Sequence, residues 1–268
     1  MPDSGTIAAT FNQGEIMVAL KELSVYCNAL LNTEHFQDYC PNGLQLEGRP
    51  EVSTIVSGVT ASQALIEAAI QANADLLLVH HGYFWKGENP TLTGIKRRRI
   101  KSLLDHDISL LAYHLPLDAH RDYGNNAALA RVLGFQTDGV VDQGPGADIL
   151  YFGRLAQSLS LQVLSEHIFE RLAREPTVIS AGDFRIRTIA WCTGAAQRLI
   201  EHAADLGVDA YLSGEISEQT MHIARESQLH YIAAGHHATE RYGPQALGDH
   251  LAQRFNLQHQ FIDMPNPA

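Results

Sequence analysis

The chain has 268 residues, 45% of them hydrophobic and 18% charged, and a formal net charge of -11. That length supports one large α/β domain or two smaller ones with ample core, and the ordinary composition excludes extensive disorder beyond the termini. The acidic balance argues against non-specific binding of duplex nucleic acid through a broad basic face.

Only three cysteines occur, Cys27, Cys40 and Cys192, widely spaced and without a CxxC pair. No disulfide framework is implied, so a reducing cytoplasm is expected. Residues 1–14 carry neither a basic region nor a long apolar run and are read as a flexible tail, with no signal peptide or membrane span. The 14 histidines are numerous for this length and direct attention to metal.

Glu15 to Asn32 carries Ile16, Leu20, Leu23, Cys27, Leu30 and Leu31 at helical spacing and is expected to be an amphipathic helix. The segment DYCPNGLQLEG (38–48) follows, with a turn at Pro41-Asn42-Gly43. Asp38, Asn42 and Gln45 there are available to a site or simply form a turn before a strand. Thr54 to Thr60 reads as a strand, Ser62 to Ala72 as a helix with Ser62 as N-cap, and Asp75 to His81 as the next strand.

The sequence DLLLVHHG (75–82) is the centre of the pattern. A short apolar run bounded by turn signals is a buried, parallel strand. His80 and His81 then lie at its carboxyl end, where open α/β sheets bind ligands. Adjacent strand side chains point to opposite faces. The pair therefore serves one metal only if the strand is already breaking, for which Gly82 is suited, or else serves two neighbouring metals.

Lys96-Arg97-Arg98-Arg99 with Lys101 is the one dense basic run, a solvated helix face or a landing patch for an anionic substrate. ISLLAYHLPLD (108–118) is a second apolar run, ending in His114 and Asp118. Gln143 to Asp148 is a Gly/Pro-rich link, followed by a strand over 149–155 and a helix over 161–174. LHYIAAGHHATE (229–240) is a third apolar run, ending in His236 and Glu240. Imidazoles and carboxylates without thiolates are the donor set of a Zn, Mn, Fe or Co site rather than of a structural zinc knot.

A shift of 134 residues aligns 54–81 with 188–215 without a gap, and ten of these 28 pairs are identical. About two would be expected by chance, so an internal duplication is inferred. His114-x3-Asp118 is likewise echoed by His236-x3-Glu240. Two βαβ-rich halves, 15–138 and 139–268, would then offer strand ends to a shared cleft. Asp118 and Glu240 would face each other across the pseudo-axis, where one of them could bridge two metals. The halves diverge where His80-His81 meets Gly214-Glu215, and Glu215 is an outer ligand, a general base or a structural carboxylate.

The motifs DYCPNGLQLEG, DLLLVHHGYFWKG, YHLPLDAH…GNN, DAYLSGEISE and AAGHHATER, in this order, resemble the Nif-three-like dinuclear metal family, catalogued as GTP cyclohydrolase I type 2 homologues. The resemblance covers roughly residues 15 to 265. It implies an α/β fold of two halves with mixed sheets flanked by helices and the metal site in the cleft between them. It further implies a hexameric ring of identical chains with two divalent ions per subunit (Zn, Fe, Mn or Co). Carried onto this chain, the family's metal ligands fall on His80, His81, Asp118, His236 and Glu240, with Glu240 the bridge. His114 sits beside the metals as a further ligand or in support of them, and His237 is not carried over as a ligand.

The function expected is metal-dependent hydrolysis, with two cations sharing a carboxylate and a water, Glu240 and His114 in the catalytic machinery, and His114 passing protons. The substrate would be small and anionic: a nucleotide, as the family label implies, or a cyclic amide or phosphoester. The alternative is a metal-binding scaffold or adaptor without turnover. No GxGxxG, GxxxxGK[ST] or GxSxG pattern points elsewhere.

Overall fold

The computed structural model describes residues 17–141 and 148–268. The tail at 1–14, the first two residues of the helix expected from Glu15, and residues 143–147 of the Gly/Pro-rich link lie outside the described residues. The fold is mixed α/β, with sheets flanked by helices. Among the described residues no helix is long and apolar enough to cross a membrane.

One sheet has five strands in the order Gln258–Phe261, Thr54–Thr60, Leu76–His81, Ser109–Ala112 and Gly43–Leu46. The first four run parallel and the last antiparallel. A second sheet has six, Gln136–Val140, Tyr151–Leu159, Ile186–Cys192, Ala210–Ser213, His230–Ala233 and Thr177–Ile179. Its Ile186–Cys192, Ala210–Ser213 and His230–Ala233 strands are parallel, and the flanking ones antiparallel. Parallel strands are covered on both faces, which is why Leu76 to Val79 form an unbroken apolar run, all fully buried.

The aligned segments 54–81 and 188–215 take equivalent places, each a strand, a helical crossover and a parallel neighbour. Even the connecting acid works alike in both. Asp75 Oδ2 accepts from Ser53 N (2.9 Å), Ser53 Oγ (2.8 Å) and Thr54 N (3.0 Å). Asp209 Oδ2 accepts from Arg187 N, Thr188 N and Thr188 Oγ1, each at 2.8 Å. Burial opposes the charge on Asp75, but these donors and Arg49 outweigh it and hold the carboxyl below its ordinary value. A depressed carboxyl pKa contributes stability that is present above the unfolded value of about 3.9 and lost as pH falls through the folded one. Asp75→Ala should therefore cost roughly 2–3 kcal/mol at pH 7, because buried donors lose their acceptor. The difference from wild type in urea unfolding should shrink below about pH 4. A pH-independent difference would contradict this account.

The elements depart from expectation in three places. The first helix spans Leu20–Leu30, because Val18–Ala19 pairs as a strand with Glu51–Val52 and holds Ala19 extended at the helix entry. The strand expected over 149–155 runs over Tyr151–Leu159. Two helices also pack in a core that the sequence pattern does not indicate. Asn125–Leu133 buries Leu129 and Leu133 with Ile189, Trp191 and Leu212. Tyr242–Phe255 buries Leu247 and Leu251 with Ile55, Leu76 and Leu78. The following strand, Gln258–Phe261, adds to the first sheet beside Thr54–Thr60. An amphipathic period shows that a helix face is buried but not which sheet covers it.

Candidate metal centre

Three strand ends supply the donors. His80 and His81 close the Leu76–His81 strand, which does not break before Gly82. Gly82 is required for space rather than for an unusual turn: a Cβ there would lie 2.6 Å from Ala112 Cβ and overlap Gln45 Oε1. His114 precedes the short helix Leu115–Ala119, which carries Asp118. Gly235, at φ +102, opens the helix His236–Glu240. The four-residue spacing places His236 and Glu240 on one helix face, with His236 Nε2 3.0 Å from Glu240 Oε2.

Glu240 lies at the centre, 3% exposed. Its Oε1 is 3.5 Å from His80 Nε2, which is itself 3.5 Å from Asp118 Oδ1. Its Oε2 is 3.4 Å from His81 Nε2. Two donor groups thus share one carboxylate through different oxygens: His80, Asp118 and Glu240, and His81, His236 and Glu240. His114 joins His80 and His81 in a third group, and each of these groups could hold a metal ion. Donors about 2.1 Å from a common tetrahedral cation would stand about 3.4 Å apart, so the spacing fits. His80 Nε2, His236 Nε2 and Glu240 Oε2 are buried atoms without a hydrogen-bond partner, a costly condition unless something else binds them.

The far side of each imidazole is anchored. His80 Nδ1 donates to Tyr113 O (2.8 Å), His114 Nδ1 to Asp38 Oδ1 (2.7 Å) and His236 Nδ1 to Glu215 Oε1 (2.7 Å). His81 Nδ1 lies 3.2 Å from Thr60 Oγ1. The acceptor-only oxygens at Nδ1 of His80, His114 and His236 fix the tautomer that leaves Nε2 with its lone pair, the form a metal takes. Asp118 is held likewise, its Oδ1 accepting from Asn125 Nδ2 (2.9 Å) and Thr193 Oγ1 (3.2 Å).

The electrostatics are those of a site built to receive positive charge. Burial disfavours a charged His80, yet Asp118 and Glu240 outweigh it and raise its pKa to about 9. Burial likewise opposes charge on His236, but Glu240 and Glu215 raise it to about 9. His81 goes the other way, to about 3, because burial and the neighbouring imidazoles overcome Glu240. Burial works against the Glu240 carboxylate, but the facing imidazoles hold it well below its ordinary value.

Several contributors were not separable from turn formers in sequence. Asp38 accepts from Tyr39 N, Asn42 Nδ2 and Leu115 N besides His114, and Asn42 Oδ1 accepts from His114 N. Asp38, Cys40 and His114 form a further group that could hold a metal ion, although burial and Asp38 push the Cys40 thiol up to about 12. Asn125 and Asn126, fully buried, tie the strand ends together. Asn125 Oδ1 accepts from Gly243 N, and Asn126 Oδ1 from Thr193 N. His237 turns away from the cluster, its Nε2 2.7 Å from Asp263 Oδ1.

The family model Duf34/NIF3 (NGG1p interacting factor 3) matches residues 18–267. A protein of Pseudomonas aeruginosa named GTP cyclohydrolase 1 type 2 homolog is 58% identical over 251 residues, covering 94% of this chain and 99% of that protein. The solved structure of a protein named ybgI, of unknown function, is 48% identical with a TM-score of 0.90, over 94% of this chain and 100% of its own. A solved structure from Thermus thermophilus is 33% identical with a TM-score of 0.84, over 94% of this chain and 100% of its own. The fold, the matched span and these likenesses agree: the chain belongs to the Duf34/NIF3 family.

Proposed function

We propose that this protein is a dinuclear metal-dependent hydrolase acting on a small anionic substrate, in the manner of a GTP cyclohydrolase or on a cyclic amide or phosphoester. The observation that carries the reading is Glu240, whose two oxygens each face a separate group of donors, with His80 Nε2 and His236 Nε2 buried and without a hydrogen-bond partner. In this reading His80, Asp118 and Glu240 would hold one divalent ion, and His81, His236 and Glu240 the other. Such ions supply Lewis acidity, polarising the bond to be broken and bringing the pKa of a water toward neutrality. His114, oriented by Asp38, presents Nε2 to move a proton at the reacting atoms. Glu215 keeps His236 in its binding tautomer. Arg97 and Arg98 are exposed on the Gly94–Asp105 helix, and with Lys86 they favour approach of an anion. The two halves of the chain would close this cleft jointly, and family likeness supports a ring of six chains.

Protein purified without chelator should carry close to two divalent ions per chain by elemental analysis and scatter light as a hexamer. A metal content near zero that does not rise with Mn, Fe, Co or Zn would overturn the reading. Loaded protein that turns over no nucleotide, cyclic amide or phosphoester would instead be a metal-binding scaffold.

A further inference from the structure

The rim of the metal centre holds an aromatic residue that the chemistry above leaves unused. Trp85 is partly exposed and packs beside two of the donor imidazoles. Its ring centroid lies 5.1 Å from that of His114 at an interplanar angle of 86°, and 5.9 Å from that of His81 at 58°. The indole is pinned. Its Nε1–H donates to Gly82 O (3.2 Å), and its backbone N–H donates to Glu88 Oε2 (3.1 Å). The chain turns tightly through 85–88, with Glu88 N donating to Trp85 O (2.9 Å) and Gly87 at φ +84. Gln45, in the Gly43–Leu46 strand, clamps this loop to the segment before that strand, its Oε1 accepting from Tyr83 N (2.7 Å) and its Nε2 donating to Pro41 O (2.8 Å). Lys86 N donates to Tyr39 O (2.6 Å), so the loop that carries Trp85 also brings exposed Lys86 and Tyr39, 62% exposed, together through their backbones.

With its one donor committed to Gly82 O, the indole has only a π surface to offer a ligand. A structural role needs no such ring at a polar rim, since His81 and His114 are already fixed through their Nδ1 atoms. Resting on the hydrolase reading, we propose that Trp85 is a specificity-determining residue. It would stack a planar nitrogen heterocycle beside the metal centre while Lys86 faces that ligand's anionic tail, as a nucleoside monophosphate would require.

Binding can be tested without turnover. The chain has two tryptophans, and Trp191 is fully buried in the second core. A ligand-dependent change in emission that is lost in Trp85→Leu therefore reports on Trp85. GMP and UMP would be titrated against ribose 5-phosphate, which keeps the tail and lacks the base, using metal-loaded wild type, Trp85→Phe and Trp85→Leu. Calorimetry supplies affinities where the fluorophore is gone. At least one nucleotide should quench wild-type emission and ribose 5-phosphate should not. Trp85→Leu should weaken nucleotide binding roughly 5- to 150-fold, the range of base–aromatic stacking, whereas Trp85→Phe keeps most of it. Ribose 5-phosphate affinity and metal content should be unchanged in both variants. Quenching by neither nucleotide, equal nucleotide affinity in Trp85→Leu, or parallel loss of nucleotide and ribose 5-phosphate would overturn the proposal. Failure of the hydrolase reading would show separately, as nucleotide binding without product.

Discussion

Glu240→Ala should leave about one metal ion or fewer per chain and abolish hydrolysis. In the proposed centre this carboxylate supplies one oxygen to each ion, so its removal takes a ligand from both and strips negative charge from between them. Two unit charges at 4 Å repel by roughly 4 kcal/mol at an effective dielectric of 20, and divalent ions repel more strongly. The second ion should therefore be lost rather than merely weakened. Asp118→Ala is the matched comparison. Asp118 Oδ1 lies by His80 and is secured by Asn125 and Thr193, so this change should impair one ion, with partial refilling at high metal. If the Glu240 variant kept both ions while the Asp118 variant lost both, the bridge would have been assigned to the wrong carboxylate. Elemental analysis of the two proteins side by side decides the matter.

Gly194→Ala should produce a similar deficit without touching a donor. Gly194 sits at φ +67, and a Cβ there would overlap Glu240 Oε1, lying 3.1 Å from Glu240 Cδ and 3.4 Å from His236 Nε2. The carboxylate is 3% exposed. The expected outcome is displacement of Oε1 and preferential loss of the ion held with His80 and Asp118. The left-handed backbone adds a separate cost of about 1–2 kcal/mol. Gly207→Ala isolates that cost, since Gly207 has φ +65 and nothing within 4 Å of its Cβ position. Both variants should lose a few degrees in Tm, but only Gly194→Ala should lose metal. Equal metal content in the two would mean that the wall of the centre yields more easily than its packing implies.

The donors themselves are legible in sequence, because they stand at the ends of apolar strands or in the short helices just beyond them. The choice left open at His80-His81 is not legible there. In the structure the two Nε2 atoms approach different oxygens of Glu240, and the strand stays regular through both residues. The supporting oxygens are harder to read. Asp38 lies in a segment whose Pro41, Asn42 and Gly43 already have a local explanation, and only its contact with His114, 76 residues away, gives it a role. Thr193 and Asn125 are polar residues at element ends, where capping would account for them. The choice of core for these two helices is invisible for the same reason: periodicity records burial, and tertiary topology chooses the partner.

That packing has a consequence for how the molecule comes into being. Thr54–Thr60 finds its outer neighbour in Gln258–Phe261, a pairing that joins residues about two hundred positions apart. As the chain leaves the ribosome, the first sheet is synthesised early. Until residues 242–261 emerge, it keeps an unpaired edge and lacks the Leu247 and Leu251 side chains that cover one of its faces. Such distant closures are slow, so the early half must wait, sticky-edged, for the late one. The donor cluster, built from both, should then be among the last parts of the molecule to form.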